Sequence, residues 1–220
     1  MGIFTFDNIF KILMRALVLF TAIPVHECAH AWAADKLGDP TAKYQGRISL
    51  NPFVHLDLFG TICMLLTGFG WARPVGINPN NFRNRKFGTV LSSIAGPLSN
   101  VLLGFLAMII YKFLSYLPAS QSGALYYISY MFYYIIILNV GLAVFNLLPI
   151  PPLDGSKVLN ATLPDRIYFR IMQYEQYIFI ALIFIMFSGI LDPLLGFLRS
   201  LLIMGLDFLT GFVDIIMRIV

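Results

Sequence analysis

The sequence is poor in charge: only 12% of its 220 residues are Asp, Glu, Lys or Arg, whereas a soluble domain has about 25%. Apolar residues make up 59% of the chain, and the mean hydropathy is +0.80. These values exclude a disordered chain, a collagen-like repeat and an ordinary soluble enzyme. We therefore expect a polytopic membrane protein, and at this length a single domain over residues 1–220.

Cysteine is scarce as well. Cys28 and Cys63 are the only two, and both lie inside apolar runs, which excludes a disulfide scaffold and a cysteine metal site.

Basic residues exceed acidic ones by fifteen to eleven. Seven of the fifteen lie between Lys36 and Lys86, in segments that flank apolar runs, a pattern typical of cytoplasmic loops. The basic residues form no stripe with interleaved aromatics, so we expect no nucleic-acid partner.

The apolar residues are gathered into runs. Six of these are candidate membrane segments: about 10–34, Leu58–Trp71, Gly88–Tyr111, Leu125–Ile150, Gln176–Ile190 and Leu194–Val213. Because a spanning helix needs about 20 apolar residues, the sequence predicts an all-α polytopic protein with four to six membrane segments. The second run is short and rich in glycine, so it could re-enter the membrane instead of crossing it. Short strands at Gly46–Leu50 and Val75–Ile77 could add a small β element within 36–87.

The basic residues also predict the orientation of the chain. Segments 36–87 and 155–175 carry basic residues, whereas 118–124 carries none. The first two are expected inside and the third outside, which requires the second apolar run to dip in and return. This arrangement places the N-terminus outside and conflicts with the positive charges of Lys11 and Arg15.

Two of the three histidines lie in the pentapeptide His26-Glu27-Cys28-Ala29-His30. On a helix, residues four apart share one face, so both imidazoles can bind one ion while Glu27 approaches it. Hydrolytic zinc takes three protein ligands. The candidate for the third is Asp154, an acid at the edge of an apolar run, with prolines before it and Gly155 to turn the chain behind it.

Each of these residues has a simpler interpretation. The histidines could make polar contacts between helices, Glu27 could be an interfacial charge, and Asp154 could cap a helix or lie in a loop. Together they are harder to explain this way, because buried polar groups beside an apolar stretch need a cation or another partner.

Small and polar residues recur every four positions along the third apolar run: Gly88, Ser92, Gly96, Asn100 and Gly104. Such a stripe favours close packing between membrane helices. We expect it to pack against the segments that carry His26 and Asp154. Asn100 could also contact substrate.

The chain resembles the site-2 protease family of intramembrane zinc metalloproteases, in a compact form without a PDZ domain. The zinc motif matches His26, Glu27 and His30, and the Asn-x-x-Pro-x-x-x-x-Asp-Gly motif matches Asn146, Pro149, Asp154 and Gly155. Further matches are Gly38-Asp39-Pro40-Thr41, Arg47-x-Ser-Leu-Asn51-Pro52-x-x-His55 and Ala95-Gly96-Pro97-x-x-Asn100. The matches cover roughly residues 20–160. A catalytic core is therefore expected over about 10–160, with accessory membrane segments over about 176–220.

The resemblance implies roles for individual residues. One Zn²⁺ per chain would be bound by His26, His30 and Asp154, with Glu27 as the general base. Asn146 would steady the oxyanion or the substrate strand, or else bond to a neighbouring helix. His55 would lie near the site, or else at a membrane boundary. In larger family members, a membrane-dipping β-hairpin within the region corresponding to 36–87 pairs with the unwound substrate.

The resemblance also implies the activity: hydrolysis of a peptide bond within or next to a transmembrane segment of another membrane protein, as in regulated intramembrane proteolysis. The lipid bilayer would be the second partner, and the plasma membrane of a prokaryote the expected location. A membrane zinc carrier or sensor with the same ligands is the alternative, although it would need no base at Glu27. A proteolytically silent scaffold is a third hypothesis, which the intact ligands and base disfavour.

Overall fold

A computed structural model describes residues 6–67, 70–118 and 123–219 of the chain. The helices within these ranges are α1 (Phe6–Leu37), α2 (Thr41–Tyr44), α3 (Pro52–His55), α4 (Leu58–Thr67), α5 (Arg85–Ser115), α6 (Gly123–Asn146), α7 (Asp154–Thr162), α8 (Asp165–Met172), α9 (Glu175–Ser188), α10 (Asp192–Leu209) and α11 (Gly211–Ile219). A 3-10 turn covers Pro79–Asn81. Most of the predicted outer loop 118–124, namely 119–122, lies outside the described residues, as do Gly68 and Phe69 of the second apolar run.

Three helices, α1, α5 and α6, are long and apolar enough to cross a membrane. Two helix pairs, α8 with α9 and α10 with α11, bend by 63° and 41° at short breaks, and each pair adds a span if it is taken as one broken helix. The described residues therefore hold three to five spans, which overlaps the predicted four to six. The predicted all-α polytopic membrane fold is confirmed.

Helix α5 shows how the bundle meets lipid. Large apolar side chains are exposed at every fourth position of one face: Leu98, Leu102, Leu106 and Ile110. On another face the stripe of small and polar residues from Gly88 to Gly104 is buried, against α1, α6 and α7. A soluble protein would bury the apolar stripe, so its exposure along the uncharged run 88–111 of this helix indicates a face that contacts acyl chains.

The second apolar run does not cross the membrane. Its helical part, α4, has 10 residues and is about 15 Å long, half of the roughly 30 Å that a span requires. Leu56 before it and Ala72 after it form an antiparallel β-bridge, and the Arg73 N–H donates to the His55 carbonyl at 2.8 Å. Because the two ends of the run meet, α4 packs against α1 and the chain returns to the side it came from.

The prediction of short strands at Gly46–Leu50 and Val75–Ile77 is wrong. Within the described residues the only β pairing outside the helices is the single Leu56–Ala72 bridge. Glycine explains why the returning chain lies so close to the helix: a Cβ on Gly60 would stand 2.1 Å from the Trp71 carbonyl oxygen. The β element of this region is thus reduced to one bridge at the mouth of a re-entrant helix.

Arg15 contacts the C-terminal end of that helix. Its Nη1 donates to the carbonyl oxygens of Leu65 and Leu66 at 2.9 and 3.1 Å. These carbonyls belong to the last turn of α4, where no helical N–H is available to them. Arg15 therefore caps the C-terminal end of α4, so its charge has a structural role in addition to any effect on orientation.

Two polar clusters fix the ends of the bundle. Beyond α1, the Asp39 carboxylate accepts from the Asn78 N–H at 2.7 Å, the Asn81 Nδ2 at 2.8 Å and the Thr41 N–H at 3.1 Å. These bonds hold the loop after α1 against the 3-10 turn. Near the end of α5, Lys112 is paired with carboxylates of α10 and α11, so the C-terminal helices are attached to the central one.

Candidate metal centre and active site

The structure brings together three candidate ligand atoms, two from α1 and one from the distant start of α7. His26 and His30 lie one turn apart on α1, and Asp154 is the first residue of α7. The Oδ2 atom of Asp154 is 3.1 Å from Nε2 of His26 and 3.1 Å from Nε2 of His30, and the two Nε2 atoms are 3.0 Å apart. All three residues are buried. The atoms form a nearly equilateral triangle inside the bundle.

The loop between α6 and α7 positions Asp154. Prolines at 149, 151 and 152 end the helical path after Asn146, and the chain folds back so that α7 begins beside its own preceding loop. A Cβ on Gly155 would stand 2.2 Å from the Leu147 carbonyl oxygen. Glycine is therefore required here for close approach to backbone, and not for the turn that the sequence suggested, since Gly155 is already helical.

The triangle fits zinc. Donors about 2.0–2.1 Å from a tetrahedral zinc ion are about 3.3–3.4 Å from one another, close to the observed 3.0–3.1 Å. Two imidazole nitrogens and one carboxylate oxygen are the donor set of a hydrolytic zinc site that keeps a fourth position for water.

Gly96 on α5 provides the space beside the ligands. A Cβ at this position would lie 2.3 Å from Nε2 of His30 and 2.6 Å from Nε2 of His26, beside the nitrogens that would bind an ion. The sequence assigned Gly96 to helix packing. The structure shows that a side chain at this position would face the imidazoles, so this glycine forms a wall of the candidate metal centre.

The same helix also contacts the outer nitrogen of each imidazole. Nδ1 of His30 donates to the Ser92 carbonyl oxygen at 2.7 Å. Nδ1 of His26 lies 3.1 Å from the amide nitrogen of Asn100, whose side chain is fully buried. The residues at 92, 96 and 100 follow one another at four-residue intervals, so one face of α5 holds both histidines.

The triangle opens onto a cavity of about 360 Å³. Glu27 lines it beside the ligands, near the backbone N–H of Val75. Lys157, one turn after Asp154, lines it too, with Nζ 3.4 Å from Asp154 Oδ1. Sequence reasoning missed Lys157, although its i,i+3 spacing from the acid was a usable signal.

The cavity is covered by two elements, and the resemblance connected only the first of them, which lies within 36–87, with the substrate. One is the returning chain after α4, and the other is α9, whose Leu182 is buried against the cavity. The rings of Trp71 and Phe179 meet edge to face with centroids 6.3 Å apart. A helix of the predicted accessory part thus helps to enclose the metal centre.

Asn146 and His55, to which the resemblance also gave roles, differ in their positions relative to the cavity. Asn146 lines the cavity, and its Nδ2 donates to the Leu142 carbonyl at 3.0 Å on its own helix. His55 is not among the residues that line the cavity in the described ranges. It is fully buried, with Nε2 2.8 Å from the Ser49 carbonyl oxygen, and its backbone pairs with the returning chain. The structure therefore gives it a supporting position under that segment.

Comparison with known proteins finds a peptidase family and two relatives named as zinc metalloproteases. The family described as Peptidase family M50 matches residues 117–188. "Putative zinc metalloprotease YwhC" of Bacillus subtilis (strain 168) is 42% identical to the chain over 169 residues, which are 74% of this chain and 75% of that protein. "Putative zinc metalloprotease MJ0611" of Methanocaldococcus jannaschii is 34% identical over 166 residues, 72% of this chain and 76% of that protein. No solved structure matches the chain.

Proposed function

The chain belongs to peptidase family M50, the site-2 protease family, and from that premise we propose that this zinc metalloprotease cleaves its substrates within the membrane. The substrate would be another membrane protein, cut within or next to a transmembrane segment. Zinc would be bound once per chain, by His26, His30 and Asp154. Because both relatives come from prokaryotes, we place the protein in the plasma membrane of a prokaryotic cell.

One observation carries the proposal: the ligands and their cavity lie inside a bundle whose outer faces are apolar. His26 and His30 belong to the apolar span Ile12–Leu37, and helices α5, α6 and α9 surround the cavity with exposed apolar side chains on their outer faces. A substrate that reaches this cavity from the bilayer arrives as a transmembrane segment. A helix shields its own amides, so the segment must unwind before a peptide bond can reach the site.

The chemistry follows from the positions of the side chains. Zinc, when bound, lowers the pKa of a water molecule and polarises the scissile carbonyl. Glu27 takes the proton of that water while the water oxygen bonds to the carbonyl carbon. The Glu27 carboxyl then gives the proton to the amide nitrogen as the C–N bond breaks, so the carboxylate is restored and water is the only other reactant.

Two more residues of the cavity support this chemistry. Lys157 pairs with Oδ1 of Asp154, which leaves Oδ2 facing the imidazoles. Asn146 stands at the end of α6 beside the cavity, where its amide would steady the backbone of the unwound substrate. His55 would act indirectly, by holding the returning chain that covers the site.

The proposal is tested with Glu27→Gln beside Asp154→Ala and a matched acid on the same helix, Asp35→Asn, whose carboxylate pairs with Lys43 at 3.4 Å. Each variant is purified in detergent, its zinc is counted per chain, and its cleavage of single-span test proteins with central Gly-Pro pairs is followed in proteoliposomes. Glu27→Gln should keep about one zinc and lose cleavage by roughly 10²–10⁴-fold. Asp154→Ala should lose zinc, and Asp35→Asn should retain both properties.

Continued turnover in Glu27→Gln would refute its role as the base. A zinc carrier with the same ligands would behave differently, because transport needs no base. Zinc flux into sealed vesicles that persists in Glu27→Gln, without cleavage of any test protein by the wild type, would favour the carrier over the protease.

A further inference from the structure

The surroundings of His30 fix which of its nitrogens carries a proton. Nδ1 lies 2.7 Å from the Ser92 carbonyl oxygen, and a carbonyl can only accept a hydrogen bond. Nδ1 of the neutral ring must therefore hold the proton. The lone pair of the other nitrogen, Nε2, is then directed at Asp154 Oδ2 and at Nε2 of His26, which is the arrangement that a metal ligand needs.

His26 also needs a hydrogen-bond acceptor beside its Nδ1 if its Nε2 is to bind a metal ion. Its Nδ1 faces the side-chain amide of Asn100, with 3.1 Å to the amide nitrogen. An N–H donor at this position would require Nδ1 to accept, and the ring proton would then sit on Nε2, inside the ligand triangle. A ring protonated there cannot bind a metal ion.

The side-chain amide of Asn100 can present its oxygen to His26 instead of its nitrogen. Asn100 is fully buried, and its Oδ1 has no hydrogen-bond partner among the described residues. A half-turn of the amide exchanges oxygen and nitrogen without moving the backbone. Oδ1 would then accept the Nδ1 proton of His26, and the unpaired buried oxygen would gain the partner that it lacks.

We infer that Asn100 is a positioning residue of the metal centre: its Oδ1 accepts the Nδ1 proton of His26 and so keeps Nε2 free for zinc. This inference rests on the proposed ligands. One helix, α5, then sets the tautomer of both histidines, through the Ser92 carbonyl for His30 and through the Asn100 amide for His26. Substrate contact is not needed to explain why Asn100 is buried here.

The test compares two substitutions of similar size, Asn100→Asp and Asn100→Leu. Asp offers an acceptor in either orientation and no donor, whereas Leu offers neither. Asn139→Leu is the control, since Asn139 is also a buried amide with an unpartnered oxygen, on α6 and outside the lining of the cavity. Zinc affinity is measured in detergent by competition with a chelator, and Co²⁺ is substituted to record its visible absorption bands.

Asn100→Leu should bind zinc about 10–100-fold more weakly than wild type, the usual cost of losing a partner of a metal-bound histidine, and its cobalt bands should shift. Asn100→Asp should bind within about threefold of wild type, and Asn139→Leu should be unchanged in both measurements. If Asn100 donated to His26 instead, both variants would remove the donor that keeps the proton on Nε2, and neither would bind zinc more weakly than wild type.

Each contrary result has a distinct meaning. Equal losses in Asn100→Asp and Asn100→Leu overturn the acceptor role, and so does wild-type affinity in Asn100→Leu. Equal losses in Asn100→Leu and Asn139→Leu assign the effect to packing and also overturn it. A wild-type protein that binds no zinc refutes the ligand assignment itself, and the role of Asn100 with it.

Discussion

Replacing Gly96 with alanine should abolish metal binding while leaving helix α5 intact. The new Cβ would lie 2.3 Å from Nε2 of His30 and 2.6 Å from Nε2 of His26, whereas ordinary contacts begin at 3.4 Å. Relief of this overlap needs shifts of roughly 1 Å, about five times the tolerance of about 0.2 Å on zinc–ligand distances. The imidazoles cannot swing aside freely, because Ser92 and Asn100 hold their outer nitrogens.

The assay is the zinc content of protein purified in detergent, with helicity followed by circular dichroism. Gly96→Ala should fall from about one zinc per chain to less than about a tenth. Its helicity should not fall, since alanine is favoured over glycine in helices by about 1 kcal/mol.

Gly104→Ala is the matched control. Gly104 lies two turns further along the same face of α5, and a Cβ there would meet its nearest atom, Val140 Cγ2, at an ordinary 3.5 Å. This variant should keep its zinc. Full zinc occupancy in Gly96→Ala would refute the reasoning, because it would mean that the ion does not occupy the space beside Gly96. If both variants lose zinc, the loss would be due to disturbed packing along the small-residue stripe of α5 and not to a clash with the imidazoles.

Two further predictions concern the elements around the site. Arg15→Met should remove the cap of α4, so a maleimide should label Cys63, relative to Cys28, severalfold faster than in the wild type. In Arg15→Lys, Cys63 should be labelled at nearly the wild-type rate. A wild-type labelling rate of Cys63 in Arg15→Met would contradict the capping role. For Asp39, burial raises the pKa of the carboxyl, but the hydrogen bonds it accepts outweigh this and hold the pKa below 3.8. The carboxylate therefore contributes stability above about pH 4 that is lost as the pH falls through the lowered pKa. Asp39→Asn should cost about 1–3 kcal/mol at neutral pH, seen as a lower apparent melting temperature. That difference should shrink below about pH 4, and a difference that grew on acidification would contradict the assignment.

Much of the architecture could be predicted because it depends on local pattern. The uncharged runs that became α5 and α6 are long enough to span a membrane whatever surrounds them. The spacing of His26 and His30 places them on one helix face by geometry alone. Asp154 was also found, because an acid at the end of an apolar run is costly unless something pairs with it.

The remainder depends on contacts between segments that are distant in sequence. Gly96 looks like any small residue of a packing stripe until α1 is placed against α5, and only then does it face the imidazoles. Arg15 looks like an orientation signal until the end of α4 is placed beside it. The contribution of α9 could not be foreseen, since no pattern within 176–190 indicates that Leu182 lies against the cavity.

The distance between the ligands along the chain has a consequence for biosynthesis. His26 and His30 are 128 and 124 residues before Asp154, so a growing polypeptide holds only two of the three proposed ligands until α7 has left the ribosome. Bringing the third ligand back closes one of the longest loops in the molecule, at an entropic cost that zinc binding offsets. With the proposed ligands, the metalloprotease is therefore inert while its own helices are being inserted. Its activity begins only when α1, α5 and α7 have assembled.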